Sequence, residues 1–139
     1  MIVIDASLVV ELITAKIDDD ELNALIQSGS GPIFGPELLD IEVLQALRKL
    51  QFLRKASDTE CANALSIFGS LPISRMPHAP LLPRVWELRT NMTAYDATYI
   101  ALAETLNAEL WTFDKKYSAT PNHTAKIRLF PGPIIVTLL

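Results

Sequence analysis

The feature that most constrains this fold is the alternation of short apolar, strand-like segments with longer helical segments. The first strand-like segment is the β-branched run Ile2-Val3-Ile4, and others lie at 33–34, 72–76, 109–113 and 132–139. Strands that alternate with helices are joined by right-handed crossovers and pair in parallel. The sequence therefore predicts an α/β fold, a single domain over residues 1–139, with about five parallel strands and helices on both faces of the sheet.

Start signals mark most of the helical segments between these strands. The clearest is the capping box Ser57-Asp58-Thr59-Glu60. The predicted helices are Leu8 to Ile13, one beginning at Asp18 to Glu21, one with Pro36 in its first turn and ending near Leu53, Ser57 to Phe68, one that is delayed by prolines 77, 80 and 83 and ends near Asn91, and Thr93 to Leu106.

The composition predicts a globular intracellular protein. Half of the 139 residues are hydrophobic, which excludes a disordered chain, and no apolar run approaches the roughly 18–20 residues that span a bilayer. The N-terminus lacks the basic segment of a signal peptide. The single cysteine, Cys61, fits a reducing compartment. We therefore expect a cytoplasmic protein that does not associate with a membrane.

Charge is divided unevenly along the chain. Residues 1–47 carry nine acids and one base, whereas residues 48–139 carry seven acids and eleven bases. An acidic region beside a basic one suits a site that holds cations and also meets a polyanion, although most surface charges simply interact with solvent.

Four acidic residues lie near the strand ends, where open parallel sheets bind their ligands. Asp5 directly follows the first strand, and Asp114 follows the strand at 109–113. Glu42 lies in the helix after the second strand, and Asp96 lies in the first turn of the helix before the 109–113 strand. We therefore expect all four carboxylates near one edge of the sheet.

Each acid also has a structural interpretation. Asp5 and Asp114 are suited to capping a helix or turn, Glu42 to a solvated helix flank, and Thr93 to Asp96 form a capping-box pattern. Several carboxylates in one pocket, however, repel each other unless a cation is present. Mg²⁺ and Mn²⁺ prefer such oxygen ligands, so the combination predicts metal-assisted phosphate chemistry.

Other chemistries find little support. The sequence contains no dinucleotide-binding fingerprint, P-loop or nucleophile elbow. His78 and His123 lie in proline-flanked or polar loops and are expected at the surface, while Cys61 belongs to an apolar helical stripe. The apolar segment Leu8 to Ile13 is expected in the core, with a dimer interface as the alternative.

Four stretches, at 1–7, 40–48, 88–104 and 110–114, contain all four acids. Taken in order and at their spacing, they resemble PIN-domain ribonucleases, in particular the VapC-type toxins of bacterial and archaeal toxin–antitoxin pairs. The resemblance implies a three-layer PIN-like α/β sandwich. It also implies an acidic quartet that binds Mg²⁺ or Mn²⁺, supported by two polar side chains. The quartet is Asp5, Glu42, Asp96 and Asp114, and the supporting residues are Ser7 and Thr112.

The same resemblance implies an RNA substrate, commonly tRNA or ribosomal RNA, a homodimer, and a VapB-type antitoxin that covers the site. We therefore interpret the chain as a metal-dependent endoribonuclease. Asp5, Asp96 and Glu42 are expected to hold a first metal ion, and Asp114 to complete the cluster or help to hold a second. The basic candidates for contacts with the RNA backbone are Arg48, Lys49, Arg89, Lys115 and Lys116.

Two alternatives stay open at this point. A catalytically inactive PIN fold would act as an RNA-binding or interaction module, although the presence of all four acids argues against loss of activity. A haloacid-dehalogenase-like phosphatase also begins with a strand that ends in aspartate. That family carries a second aspartate two residues later, where this sequence has Ser7.

Overall fold

The computed structural model describes residues 1–14, 20, 24 and 31–131. Within these residues the centre of the fold is a five-stranded sheet in the order β3-β2-β1-β4-β5, in which every neighbouring pair is parallel. The predicted α/β class and parallel sheet are confirmed. The strands are β1 (Ile2–Ile4), β2 (Ile33–Pro36), β3 (Ile73–Met76), β4 (Glu109–Thr112) and β5 (Lys126–Leu129).

Two groups of helices pack around this sheet. Helix α1 contacts α2 and α3, while α5 contacts α4 and strands β1, β2 and β4. None of the described helices is long and apolar enough to cross a membrane. The helices are α1 (Ala6–Ile13), α2 (Leu38–Phe52), α3 (Asp58–Ser70), α4 (Leu82–Glu87), α5 (Ala94–Leu106) and α6 (Lys116–Ala119), and a 3₁₀ turn spans Ala79–Leu81.

The core forms where the apolar sequence stripes meet. The central strand β1 is fully buried, as its β-branched composition predicts. Helix α2 buries one apolar stripe, and α1 adds residues to the same core. The residues are Leu39, Val43, Leu47 and Leu50 of α2 and Leu8, Val9, Val10 and Ile13 of α1. The α1 segment is therefore core, as predicted, and the alternative of a dimer interface is not needed to explain it.

Two predicted helix boundaries were wrong. Pro36 is the last residue of β2, opposite Met76 of β3, and α2 begins only at Leu38. Proline is tolerated at this strand end because the next amide, that of Glu37, donates to the Met76 carbonyl instead. Helix α4 ends at Glu87 rather than near Asn91, and turns follow it.

Strand β5 was not predicted. Its sequence, Lys-Ile-Arg-Leu, alternates charged and apolar residues, which is typical of an edge strand with one solvated face. The predicted strand at 132–139 lies outside the described residues, as does nearly all of the predicted helix start at Asp18 to Glu21.

Candidate active site

A cleft of about 520 Å³ opens at the carboxyl edge of the sheet, and all four predicted acids line it. Two lie at the ends of the neighbouring strands β1 and β4, and two lie on helices α2 and α5. The four acids are Asp5, Glu42, Asp96 and Asp114, and the other polar residues that line the cleft are Ser7, Gln45, Lys49, Thr93, Tyr95, Lys116 and Tyr117. All four acids therefore lie at one cleft, as their positions near the strand ends predict.

Asp5 is the most buried of the four acids. It is 4% exposed and caps α1, because its Oδ1 accepts a hydrogen bond from the Leu8 amide at 3.1 Å. Ser7 Oγ donates to the same oxygen at 2.7 Å, and Thr112 Oγ1 donates to Oδ2 at 2.6 Å. Burial raises the pKa of Asp5 to about 6, although these hydrogen bonds oppose the shift.

Thr112 connects the first acid to the fourth. While its hydroxyl donates to Asp5, its oxygen accepts a hydrogen bond from the Asp114 amide at 2.9 Å. Ser7 makes a parallel connection, since its Oγ accepts from the Phe113 amide at 3.2 Å. Both residues that were predicted to support the cluster therefore fix the two strand ends relative to each other.

Glu42 lies just over one turn into α2 and is partly buried among other acids. Burial raises its pKa to about 7, and the negative charges of Asp5 and Asp96 act in the same direction. Lys116 and the Tyr99 hydroxyl oppose this shift. Within the described residues, Oε1 of Glu42 is buried and accepts no hydrogen bond. This oxygen is therefore available to a cation.

Asp96 and Asp114 share one ammonium group. Lys116 Nζ lies 3.0 Å from Asp96 Oδ1 and 2.9 Å from Asp114 Oδ2. The Asp96 amide donates to Thr93 Oγ1, so half of the predicted capping box exists, but the Asp96 carboxylate contacts Lys116 and the hydroxyl of Tyr117 instead. Asp114 caps the following turn, because its Oδ1 accepts from the Lys116 amide at 3.0 Å.

The donor set fits a hard divalent ion that retains some of its water. In their present orientations, no group of three or more His, Cys, Asp or Glu side chains in the described ranges is arranged to hold a metal ion. The ammonium of Lys116 lies between two of the carboxylates. Carboxylate oxygens, including the buried Oε1 of Glu42 that accepts no hydrogen bond, are nevertheless the ligands that Mg²⁺ and Mn²⁺ prefer, and Mg²⁺ usually keeps several waters.

Sequence reasoning missed two tyrosines beside the acids. Tyr99 and Tyr117 are both at most 2% exposed. Burial raises the pKa of each hydroxyl well above its ordinary value, and the nearby acids add to the effect. Both stay neutral and able to donate a hydrogen bond. Their spacing indicated proximity to the acids but not burial, since Tyr99 follows Asp96 by one helical turn and Tyr117 follows Asp114 by three residues.

The five predicted basic contacts divide into two groups. Lys49 and Lys116 line the cleft, whereas the other three are not among the lining residues. Arg48 lies over the Phe52 ring at 4.6 Å, and Arg89 lies over the Trp86 ring at 4.5 Å. Lys115 is exposed at the start of α6. The two histidines are half-buried rather than at the surface, and Nε2 of His78 accepts a hydrogen bond from the Leu38 amide.

Comparisons with known proteins extend over nearly the whole chain. The PIN domain family matches residues 2–122. The chain is 35% identical over 131 residues to VapC ribonuclease Mb0985 of Mycobacterium bovis, an alignment that covers 94% of this chain and 99% of that protein.

Two solved structures share the fold. VapBC2 from Rickettsia felis, bound to a DNA fragment from its promoter, matches with a TM-score of 0.65 and 19% identity over 93% of this chain and 98% of that chain. The sarcin-ricin loop cleaving toxin VapC20 of Mycobacterium tuberculosis matches with a TM-score of 0.60 and 21% identity over 86% of this chain and 94% of that chain.

Proposed function

Because the chain belongs to the PIN-domain family and within it to the VapC ribonucleases, we propose that it is a toxin endoribonuclease whose cleft uses Mg²⁺ or Mn²⁺ to hydrolyse RNA phosphodiesters. The observation that carries the proposal is the convergence of Asp5, Glu42, Asp96 and Asp114 on one cleft. Two of these carboxylates have raised pKa values there, which a divalent cation would reverse.

The four acids are assigned to two roles in this proposal. Asp5, Glu42 and Asp96 hold the first ion, and Asp114 completes the cluster or helps to hold a second. A bound divalent ion neutralises charge on the phosphate and lowers the pKa of bound water. Ser7 and Thr112 keep the Asp5 carboxylate oriented by donating to its two oxygens.

The cleft must also bind a polyanion beside its own negative charges. Lys49 and Lys116 line the cleft and are the cations best placed to contact the RNA backbone. In-line attack by water yields 5′-phosphate and 3′-hydroxyl ends and needs no 2′-hydroxyl as nucleophile. The four acids supply no sequence-specific contact, so we expect the choice of RNA to depend on the cleft rim.

The proposed partners follow from the relatives. VapC ribonuclease Mb0985 is named for its action on RNA, and the Rickettsia felis structure is a VapBC assembly. We accordingly assign this chain an RNA substrate, with tRNA or ribosomal RNA as the first to test, and a VapB-type antitoxin. We further propose a homodimer that acts in the cytoplasm, and light scattering coupled to size exclusion measures the dimer directly.

An inactive RNA-binding module is the second candidate, and the cleft disfavours it. Loss of catalysis would remove the reason to keep four acids together, since neutral residues in their place would relieve the repulsion that Glu42 experiences. The phosphatase alternative fails because Ser7 takes the place of its second aspartate and supports Asp5 as a hydrogen-bond donor.

Mapping of RNA ends tests the function directly. The purified chain is incubated with total RNA in Mg²⁺, in Mn²⁺ and in EDTA, and the new ends are sequenced. We expect discrete cuts with 5′-phosphates in either metal, none in EDTA, and recovery when metal is restored. Cleavage that persists in EDTA, or ends that carry 2′,3′-cyclic phosphates, would refute the metal mechanism.

A further inference from the structure

The ammonium of Lys116 lies between two of the four carboxylates that line the cleft. Its Nζ bridges Asp96 and Asp114 at 3.0 and 2.9 Å. We propose that Lys116 has two successive roles: its ammonium holds these two carboxylates together before metal binds, leaves them when a divalent ion is held there, and then binds the substrate phosphate. The inference rests on the proposed function, because it requires both a metal ion and an RNA substrate.

The attachment of Lys116 allows such a movement. Its backbone is anchored, since its amide donates to Asp114 Oδ1 at 3.0 Å. Its side chain is a flexible four-carbon stem and is 51% exposed at the cleft. The ammonium can therefore turn toward the open side of the cleft while the position of Asp114 is retained.

The Lys116 ammonium and a divalent metal ion cannot both lie between Asp96 and Asp114, because their positive charges repel each other. An ammonium at hydrogen-bond distance from Asp96 and Asp114 lies close to any divalent ion that these carboxylates hold, and like charges at that distance repel. Lys116 also counters the charge of Glu42. The ammonium therefore offsets part of the negative charge of the carboxylates. Once a metal ion binds, the ion offsets that charge instead.

A released ammonium at this position meets the substrate. Four of the six charged residues that line the cleft are carboxylates, and Lys49 is the lining base besides Lys116. RNA that enters the cleft brings a phosphate to the metal, and a lysine one side chain away is a suitable point charge for that phosphate. Lys116 would thus reduce the repulsion between the Asp96 and Asp114 carboxylates before metal binds. After metal binds, it would help to bind RNA.

Direct measurement of metal binding tests the first half of this inference. Mn²⁺ affinity is measured by calorimetry and by electron paramagnetic resonance for the wild type, Lys116→Met, Lys116→Arg and Lys115→Met. Lys115 is a matched control, because it is the preceding residue, is exposed, and does not line the cleft. We expect Lys116→Met to bind Mn²⁺ about fivefold more tightly, since two ion pairs no longer compete. Lys116→Arg and Lys115→Met should stay within about twofold.

The second half is tested by the salt dependence of RNA binding. With Mn²⁺ saturating for each variant, Lys116→Met should raise the KM for RNA by about fivefold to tenfold, with a smaller change in kcat. It should also reduce the slope of log affinity against log salt concentration by about 1, which corresponds to the loss of one phosphate contact. Lys55→Met, at an exposed position between α2 and α3, should leave both quantities unchanged.

The outcomes separate this inference from the proposed function. If the wild type binds no Mn²⁺ at millimolar concentration, both fail. If the wild type binds Mn²⁺ but Lys116→Met and Lys115→Met have equal affinities, only the displacement of Lys116 is overturned. If Lys116→Met binds metal more tightly with an unchanged salt slope, the phosphate contact is overturned. Thermal melts confirm that each variant is folded, and Lys116→Arg shows whether the charge alone is required.

Discussion

The two ends of helix α5 hold carboxylates in opposite environments. Asp96, in the first turn, lies with Glu42 and Asp5 at the cleft and shares one ammonium with Asp114. Glu104, near the last turn, accepts hydrogen bonds from Arg84 at 2.8 and 3.1 Å and one from the Thr124 amide at 2.8 Å. The hydrogen bonds from Arg84 are the largest cause of the lowered pKa of Glu104.

The difference shows which carboxylates folding alone explains. At Glu104 the hydrogen bonds and the charge of Arg84 outweigh the effect of burial and stabilise the ionised form. Hydrogen bonds from Arg84 and Thr124 link this end of α5 to α4 and to the loop before β5. At the cleft, carboxylates outnumber the available cations, and Asp5 and Glu42 have raised pKa values. Perturbed acids that converge in a cleft are characteristic of functional sites. Replacement of single carboxylates by amides at both ends tests this contrast.

The largest effect is expected for Asp96→Asn. The change removes one charged ligand of the proposed metal site while keeping the side-chain shape, so cleavage of RNA in Mg²⁺ should fall by at least about 100-fold to 1000-fold. The fold should survive, because repulsion with Glu42 is relieved as the pair with Lys116 is lost. Rates are measured on total RNA, with circular dichroism as the folding control. Full activity in this variant would refute the assignment of the site.

The second effect is expected at the other end of the same helix. Glu104→Gln turns an amide toward the Arg84 guanidinium and weakens a partly buried, hydrogen-bonded ion pair. The free energy of unfolding should fall by about 2 kcal/mol, as measured by urea denaturation. Cleavage at a temperature where the variant is folded should match the wild type. A loss of activity with unchanged stability would reverse the roles assigned to the two ends.

The sequence was sufficient to locate the acids but not their electrostatic state. Asp5 and Asp114 follow neighbouring strands, and parallel pairing of those strands brings their ends together whatever the side chains do. The position of Lys116 between two acids depends on its rotamer, and the burial of Tyr99 depends on how α5 packs, so neither could be derived from spacing alone. Strand β5 was missed because its alternation of charged and apolar residues extends over only four residues, which is too short a pattern to distinguish a strand from a loop.

The third effect is a pH-dependent change in the free energy of unfolding, expected for Glu42→Gln. The folded pKa of Glu42 is about 7, above its ordinary 4.5, so the proton bound by the native state stabilises the metal-free protein below pH 4.5. This contribution is lost as the pH rises through 7. In EDTA at pH 8, Glu42→Gln should therefore raise the free energy of unfolding by about 1 kcal/mol, less than the full shift implies because the side chain is partly solvated.

Denaturation in urea at pH 4.5 and pH 8 checks this prediction. The gain from Glu42→Gln should vanish at pH 4.5, where Glu42 of the native protein is protonated. Mg²⁺ at pH 8 should stabilise the wild type more than the variant, because a ligand that binds only the native state adds to its stability. A variant that is less stable than the wild type at pH 8 would show that Glu42 is a structural residue.

The smallest effect is expected for Glu87→Gln. This variant compares the two carboxylates that pair with Arg84, one exposed and one largely buried. Glu87 contacts the same Arg84 guanidinium at 3.0 Å, but its side chain is 63% exposed, against 14% for Glu104. Solvent screens an exposed pair, so the free energy of unfolding should change by less than about 0.5 kcal/mol. Urea denaturation of Glu87→Gln beside Glu104→Gln measures the difference. Equal losses in the two variants would mean that the number of ion pairs, rather than their burial, stabilises this end of α5.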